Sequence, residues 1–147
     1  MDSWKKHWWN NGIWKMERET EQRFVQCFIR REKRERLLFE LHGKHRREGM
    51  GRFCHCAEEM LIKEKVIESR PLNIAQIRPY VERYAPGETC YVCAYSESLD
   101  GQRMPAPAAL EKALGNGMAA LLIFERLAIV ETEQESGTPD RYILLDQ

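Results

Sequence analysis

The period of the apolar positions changes several times along the chain, and each change marks an expected element. From Gln22, the residues Phe24, Val25, Cys27, Phe28 and Ile29 are mostly β-branched or aromatic, a composition that favours a strand. Beyond Glu32-Lys33-Arg34, the residues Leu37, Phe39 and Leu41 alternate as in a strand, whereas Arg34, Leu38 and Leu41 fit a helix. The shortness of both runs and Gly43 after the second favour a hairpin. Between Lys44 and Ile62, Met50, Phe53, Cys54, Ala57, Met60 and Leu61 recur at three- and four-residue spacing, which predicts one amphipathic helix. Gly49 and Gly51 weaken its first turns by up to about 1 kcal/mol each relative to alanine. A second helix is expected from Asn73, a good N-cap, through Ile74, Ile77, Val81 and Tyr84, with Pro79 kinking or splitting it.

The C-terminal half is more regular. Thr89 to Tyr95 has the composition of a buried strand. A loop with Asp100-Gly101 and Pro105 leads to a short helix, Pro107 to Leu114, which Gly115-Asn116-Gly117 terminates. Ala119 to Phe124 and Leu127 to Glu133 form a hairpin about Glu125-Arg126, and Tyr142 to Leu145 is a last strand. Strands and helices mix without a βαβ rhythm. The expected class is therefore α+β: a mixed, largely antiparallel sheet of about five or six strands with two or three helices, in a single compact domain. Residues 22–147 are assigned to that domain. Residues 1–21 are assigned to an aromatic-basic extension, because Trp4, Trp8, Trp9 and Trp14 stand there among Lys5, Lys6 and His7.

Composition narrows the class further. The longest apolar stretch, Met118 to Phe124, is far too short to span a bilayer, so no membrane span is expected. No apolar segment follows Lys5 and Lys6 as a secretory signal would require. Five cysteines without framework spacing suit a reducing compartment, and a cytoplasmic location is expected. Cys54-His55-Cys56 and Cys90-Tyr91-Val92-Cys93 invite a zinc reading. Residues two apart on a helix or three apart in a strand point in different directions, however, so neither pair converges. No cofactor is expected.

Net charge is zero, but it is unevenly distributed. Residues 1–85 carry 19 Lys+Arg against 13 Asp+Glu, and residues 86–147 carry 4 against 10. The excess cations concentrate between Arg30 and Arg52, where Arg30, Arg31, Lys44, His45, Arg46, Arg47 and Arg52 form the candidate nucleic-acid or phosphate-binding set. A helix beginning near Lys44 would add the positive end of its dipole, and arginine suits bidentate phosphate contact. The same residues are also what a solvated, ion-paired surface contains.

Two weaker patterns carry possible chemistry. Glu48, Arg52, His55 and Glu59 fall in one sector of the expected Lys44–Ile62 helix and are the candidate catalytic residues, since histidine beside carboxylate and guanidinium suits acid–base work. Glu131, Glu133 and Glu135 alternate and would share one strand face, which makes Glu131 and Glu133 candidate metal ligands. The sequence thus supports three functions. They are binding of nucleic acid or another phosphorylated ligand, a non-catalytic interaction module (an immunity- or antitoxin-like partner or a homo-oligomer), and a metal-dependent nuclease or hydrolase.

Overall fold

The hydrophobic runs of the C-terminal half build a six-stranded sheet, and helices cover both of its faces. The computed structural model describes residues 13–133, 137 and 139–147, with side chains from Glu17 onward. Helices α1 (Ile13–Phe28), α2 (Arg31–Leu41), α3 (Arg46–His55) and the single turn α4 (Ala57–Met60) come first. They are followed by β1 (Val66–Arg70), α5 (Ile74–Tyr84), β2 (Thr89–Ala94), β3 (Gln102–Pro105), α6 (Ala106–Ala113), β4 (Ala120–Ile123), β5 (Leu127–Glu131) and β6 (Arg141–Leu145). The sheet order is β1-β6-β5-β4-β2-β3, and every neighbouring pair is antiparallel. The fold is α+β in a single compact domain.

Strand alternation divides the apolar residues between two cores. Tyr91, Cys93, Leu121, Ile123, Ala128 and Val130 face the layer made by the first four helices, where Phe24, Phe28, Leu37, Met50 and Phe53 meet them. Cys90, Val92, Leu122, Leu127, Ile129 and Ile143 face α5 and α6, against Ile77, Val81, Ala109 and Leu110. Because both faces are covered, β4 and β5 are buried along their whole length and show no polar alternation. Cys90 and Cys93 point to opposite cores, as their offset in a strand requires.

The largest departure from expectation lies in the first half. The runs around Phe24 and Leu37 are helices, not a hairpin, so the structure has six described α-helices rather than two or three. The buried positions show why. Glu17, Glu21, Phe24, Val25 and Phe28 recur at helical spacing, and Leu37 and Leu41 are four apart, whereas Phe39 is 75% exposed. The division at residue 21/22 therefore falls inside α1. The expected Lys44–Ile62 helix breaks at Cys56 into α3 and α4. Asn73 does cap α5, through a capping box with Gln76, and α5 runs on past Pro79. Trp4, Trp8, Trp9 and Glu135, together with the side chain of Trp14, lie outside the described residues.

Candidate functional site

A cleft of about 400 Å3 opens where the N-terminal half of α1, the α2–α3 turn and the loop after β2 meet. Its floor is organised by Arg46. At the end of α2, Leu41 leaves a carbonyl without a helical partner, and Arg46 Nη1 donates to it at 2.9 Å. The same Nη1 donates to Glu21 Oε1 at 2.7 Å, and Nη2 donates to Glu21 Oε2 at 2.8 Å. On the other side, Nε donates to Asp100 Oδ2 at 2.6 Å and Nη2 to Asp100 Oδ1 at 3.0 Å. A guanidinium has five N–H donors, and these contacts saturate them.

The acceptors are fixed just as firmly. Asp100 Oδ1 also accepts from the backbone N–H of Ala94, and Gly101, at φ 80°, supplies the left-handed backbone that returns the loop to Val92. Tyr91 Oη donates to Glu21 Oε2 at 2.5 Å. Burial pushes the Glu21 carboxyl up, but His42, Arg46 and Tyr91 more than offset it and hold it down at about 2. Burial beside Glu21 raises the Tyr91 hydroxyl far above its ordinary value, so it stays protonated and can donate to Glu21. Cys93 lies 3.8 Å from Glu21 Oε2, and burial pushes its thiol well up, so it stays protonated.

His42 closes one wall of the cleft. Its Nδ1 accepts from Arg18 Nε at 3.3 Å. Its Nε2 is buried 3.5 Å from Glu21 Oε1, within electrostatic reach, but makes no hydrogen bond. The rim carries charge of both signs. Glu17 pairs with Arg103 at 3.3 Å, and Glu97 with Arg47 at 3.9 Å. Arg47 also donates to the Tyr95 carbonyl and stacks on the Tyr95 ring at 4.2 Å. Among the described residues, Arg18 and Lys44 are the cleft cations with no carboxylate partner.

The seven residues of the candidate phosphate-binding set do not form one surface. Arg30 and Arg31 stand at the start of α2, and Lys44, His45, Arg46 and Arg47 follow its end. A helix of that length separates the two groups by roughly 16 Å. Arg30 donates to the Leu61 carbonyl, Arg46 and Arg47 are engaged as above, and Arg52 pairs with Glu40 on α2. Arg31, Lys44 and His45 are exposed. Only Lys44, Arg46 and Arg47 of the set line the cleft.

The candidate catalytic residues are not brought together. The break at Cys56 separates Glu59 from the other three, and Arg52 turns to Glu40 instead of Glu48. Glu48, His55 and Glu59 are exposed and line neither this cleft nor the smaller cavity beside Gly115. The metal reading fares no better. Glu131 is fully buried, pairs with Arg141 across β5 and β6 at 2.5 Å, and accepts the Gly115 N–H at 3.1 Å. Glu133 is exposed beyond the end of β5. No group of three His, Cys, Asp or Glu among the described residues is placed to hold a metal ion.

Four residues that matter most here, Arg18, Glu21, His42 and Asp100, carry no motif. The available signal was the helical spacing of Glu17 and Glu21 with Phe24 and Phe28, which puts two carboxylates on a buried face. No described helix is long and apolar enough to cross a membrane. Comparison with known proteins finds no match, whether to a family model, a curated protein or a solved structure.

Proposed function

We propose that the protein binds a phosphorylated ligand, and that it does so in the cleft at the α2–α3 turn rather than along the whole Arg30–Arg52 run. The observation that carries this reading is the distribution of charge partners inside the cleft. Each lining carboxylate has a cation of its own or shares Arg46, whereas Arg18 and Lys44 have no carboxylate partner among the described residues. An anion placed between them would gain two charge-assisted contacts without breaking an existing ion pair. The volume falls within the range of small-molecule sites, and the saturated Arg46 network supplies a rigid floor. An extended nucleic-acid track draws less support, because its cations are split between the two ends of α2 and several are engaged internally.

Titration calorimetry with phenyl phosphate at low and high salt tests the reading. Binding should weaken with salt, and Lys44→Ala and Arg18→Ala should each reduce affinity by about tenfold, the value of one charged hydrogen bond. Arg31→Ala should change nothing. Binding of a single-stranded oligonucleotide that depends on Arg31, with phenyl phosphate inert, would replace the cleft with the extended patch.

A second reading, an interaction surface, has one observation in its favour. Phe39 projects from the outer side of α2 at 75% exposure, between the exposed Glu35 and Arg36 and the pair of Glu40 with Arg52. Sedimentation of the wild type and of Phe39→Asp would show whether this side chain supports self-association.

A further inference from the structure

We infer that the cleft is built for a phosphate monoester, held by Arg18, Lys44 and a His42 that takes up a proton as the ligand enters. This deepens the binding proposed above and rests on it. The starting point is the asymmetry of the His42 ring. One nitrogen, Nε2, faces Glu21 at 3.5 Å, and the other, Nδ1, faces Arg18 Nε at 3.3 Å. Glu21 is tied to Arg46 and Tyr91 as an ionised, acceptor-only carboxylate, so the nitrogen facing it carries the proton. Arg18 can only donate, so Nδ1 presents its lone pair. By these contacts Nε2 carries the ring proton and Nδ1 is left as an acceptor, so the tautomer is set from both sides.

The neighbouring charges show what an anion would change. Helix α1 contributes Glu17, Arg18 and Glu21. The turn and the start of α3 contribute Lys44, Arg46 and Arg47, and β2 with its following loop contributes Tyr91, Glu97 and Asp100. Glu17 is held by Arg103, Asp100 by Arg46, and Glu97 lies beside Arg47 on the exposed rim. Arg18 and Glu21 are thus the groups that govern the ring. An anion arriving between Arg18 and Lys44 draws the Arg18 guanidinium off Nδ1. The vacated nitrogen then faces negative charge instead of a cation, and it takes a proton from the buffer and donates to the ligand. Glu21 stabilises the resulting imidazolium from the opposite side of the ring.

Three cationic donors then converge on one group. A phosphate monoester carries close to two charges near neutral pH and three strong acceptor oxygens, which match Arg18, Lys44 and His42. A diester carries one charge and has only two free oxygens, so it leaves one donor unused. The rest of the cleft, lined by Leu41 and Tyr91, has room for an organic substituent.

Calorimetry on the full chain with phenyl phosphate, at about pH 7.5 where the ester is mostly dianionic, tests the inference in two buffers of different ionisation enthalpy. A phosphate ester can only lose a proton on binding cations, so net proton uptake would report the protein. The expected result is net uptake, its loss in His42→Gln with affinity reduced about tenfold, and binding of diphenyl phosphate at least about tenfold weaker. In the wild type, the His42 Cε1–H resonance should titrate at higher pH when phenyl phosphate saturates the protein, a measurement independent of whether the variant folds. Binding without uptake, uptake that persists in His42→Gln, or equal binding of the diester would overturn the inference while leaving the cleft as a binding site. If phenyl phosphate does not bind at all, the cleft reading falls with it.

Discussion

Arg46 and Asp100 join the basic and acidic halves of the chain across 54 residues of sequence, with Nε donating to Oδ2 at 2.6 Å. Lys65 and Asp146 join them across 81 residues, at 2.5 Å. Part of the charge asymmetry is therefore neutralised inside the molecule, and Arg46 acts as the keystone of the cleft floor rather than as a ligand-facing cation.

The first prediction concerns this keystone. Arg46→Ala removes the partner of the buried Glu21 and uncovers the Leu41 carbonyl. It should destabilise the fold by about 3 kcal/mol, the lower end of the cost of breaking a buried pair, since the Arg46 side chain is 21% exposed. Asp100→Ala should cost about 1.5 kcal/mol, because Arg46 keeps its bonds to Glu21. Urea unfolding of the two variants measures both, and equal effects would contradict the geometry.

Acid stability follows from Glu21. Its folded carboxyl is held at about 2, below its ordinary value of 4.5, so the unfolded chain takes up a proton at this residue first as pH falls. The stabilisation is present in full above about pH 4.5 and is lost progressively toward pH 2. Glu21→Gln should be less stable at neutral pH and show a shallower decline over that window. Urea midpoints measured from pH 7 to about pH 2 would reveal the difference in slope, and parallel profiles would refute it.

Two glycines in α3 should respond to alanine with opposite signs. At Gly49 an added Cβ would lie 2.7 Å from Glu40 Cβ on α2. At Gly51 the nearest atom would be Tyr95 Cδ2 at 3.6 Å, an ordinary contact. Gly49→Ala should therefore destabilise by about 1–2 kcal/mol despite its better helix propensity. Gly51→Ala should stabilise by up to about 1 kcal/mol. Thermal unfolding of the two variants distinguishes them directly.

Local chemistry made much of this fold legible. The Asn73 cap, the Gly115 stop after α6 and the apolar runs of β2, β4, β5 and β6 could be read directly, because each depends on residues adjacent in sequence. The edge strands β1 and β3 gave no such signal, since Val66–Arg70 and Gln102–Pro105 are short, polar and half-exposed. The first two helices depart from the expected hairpin for a different reason. Phe24 to Ile29 is a short apolar run that suits a strand as well as a helix, and burial of Glu17 and Glu21 on the same face decides between them.

The sequence by itself determined the α+β class, the antiparallel C-terminal sheet and the location of the charge, all of which rest on composition and short-range periodicity. Only the tertiary structure decided which charges remain available. Arg46 and Arg47 are neighbours in an unbroken basic run, yet one is half-buried between two carboxylates and the other is stacked on Tyr95. His42 stands out in no motif, and its chemistry comes from Glu21 and Arg18 on another helix. An ionisable group is defined by the partners that folding brings within a few ångströms, and no spacing along the chain records them.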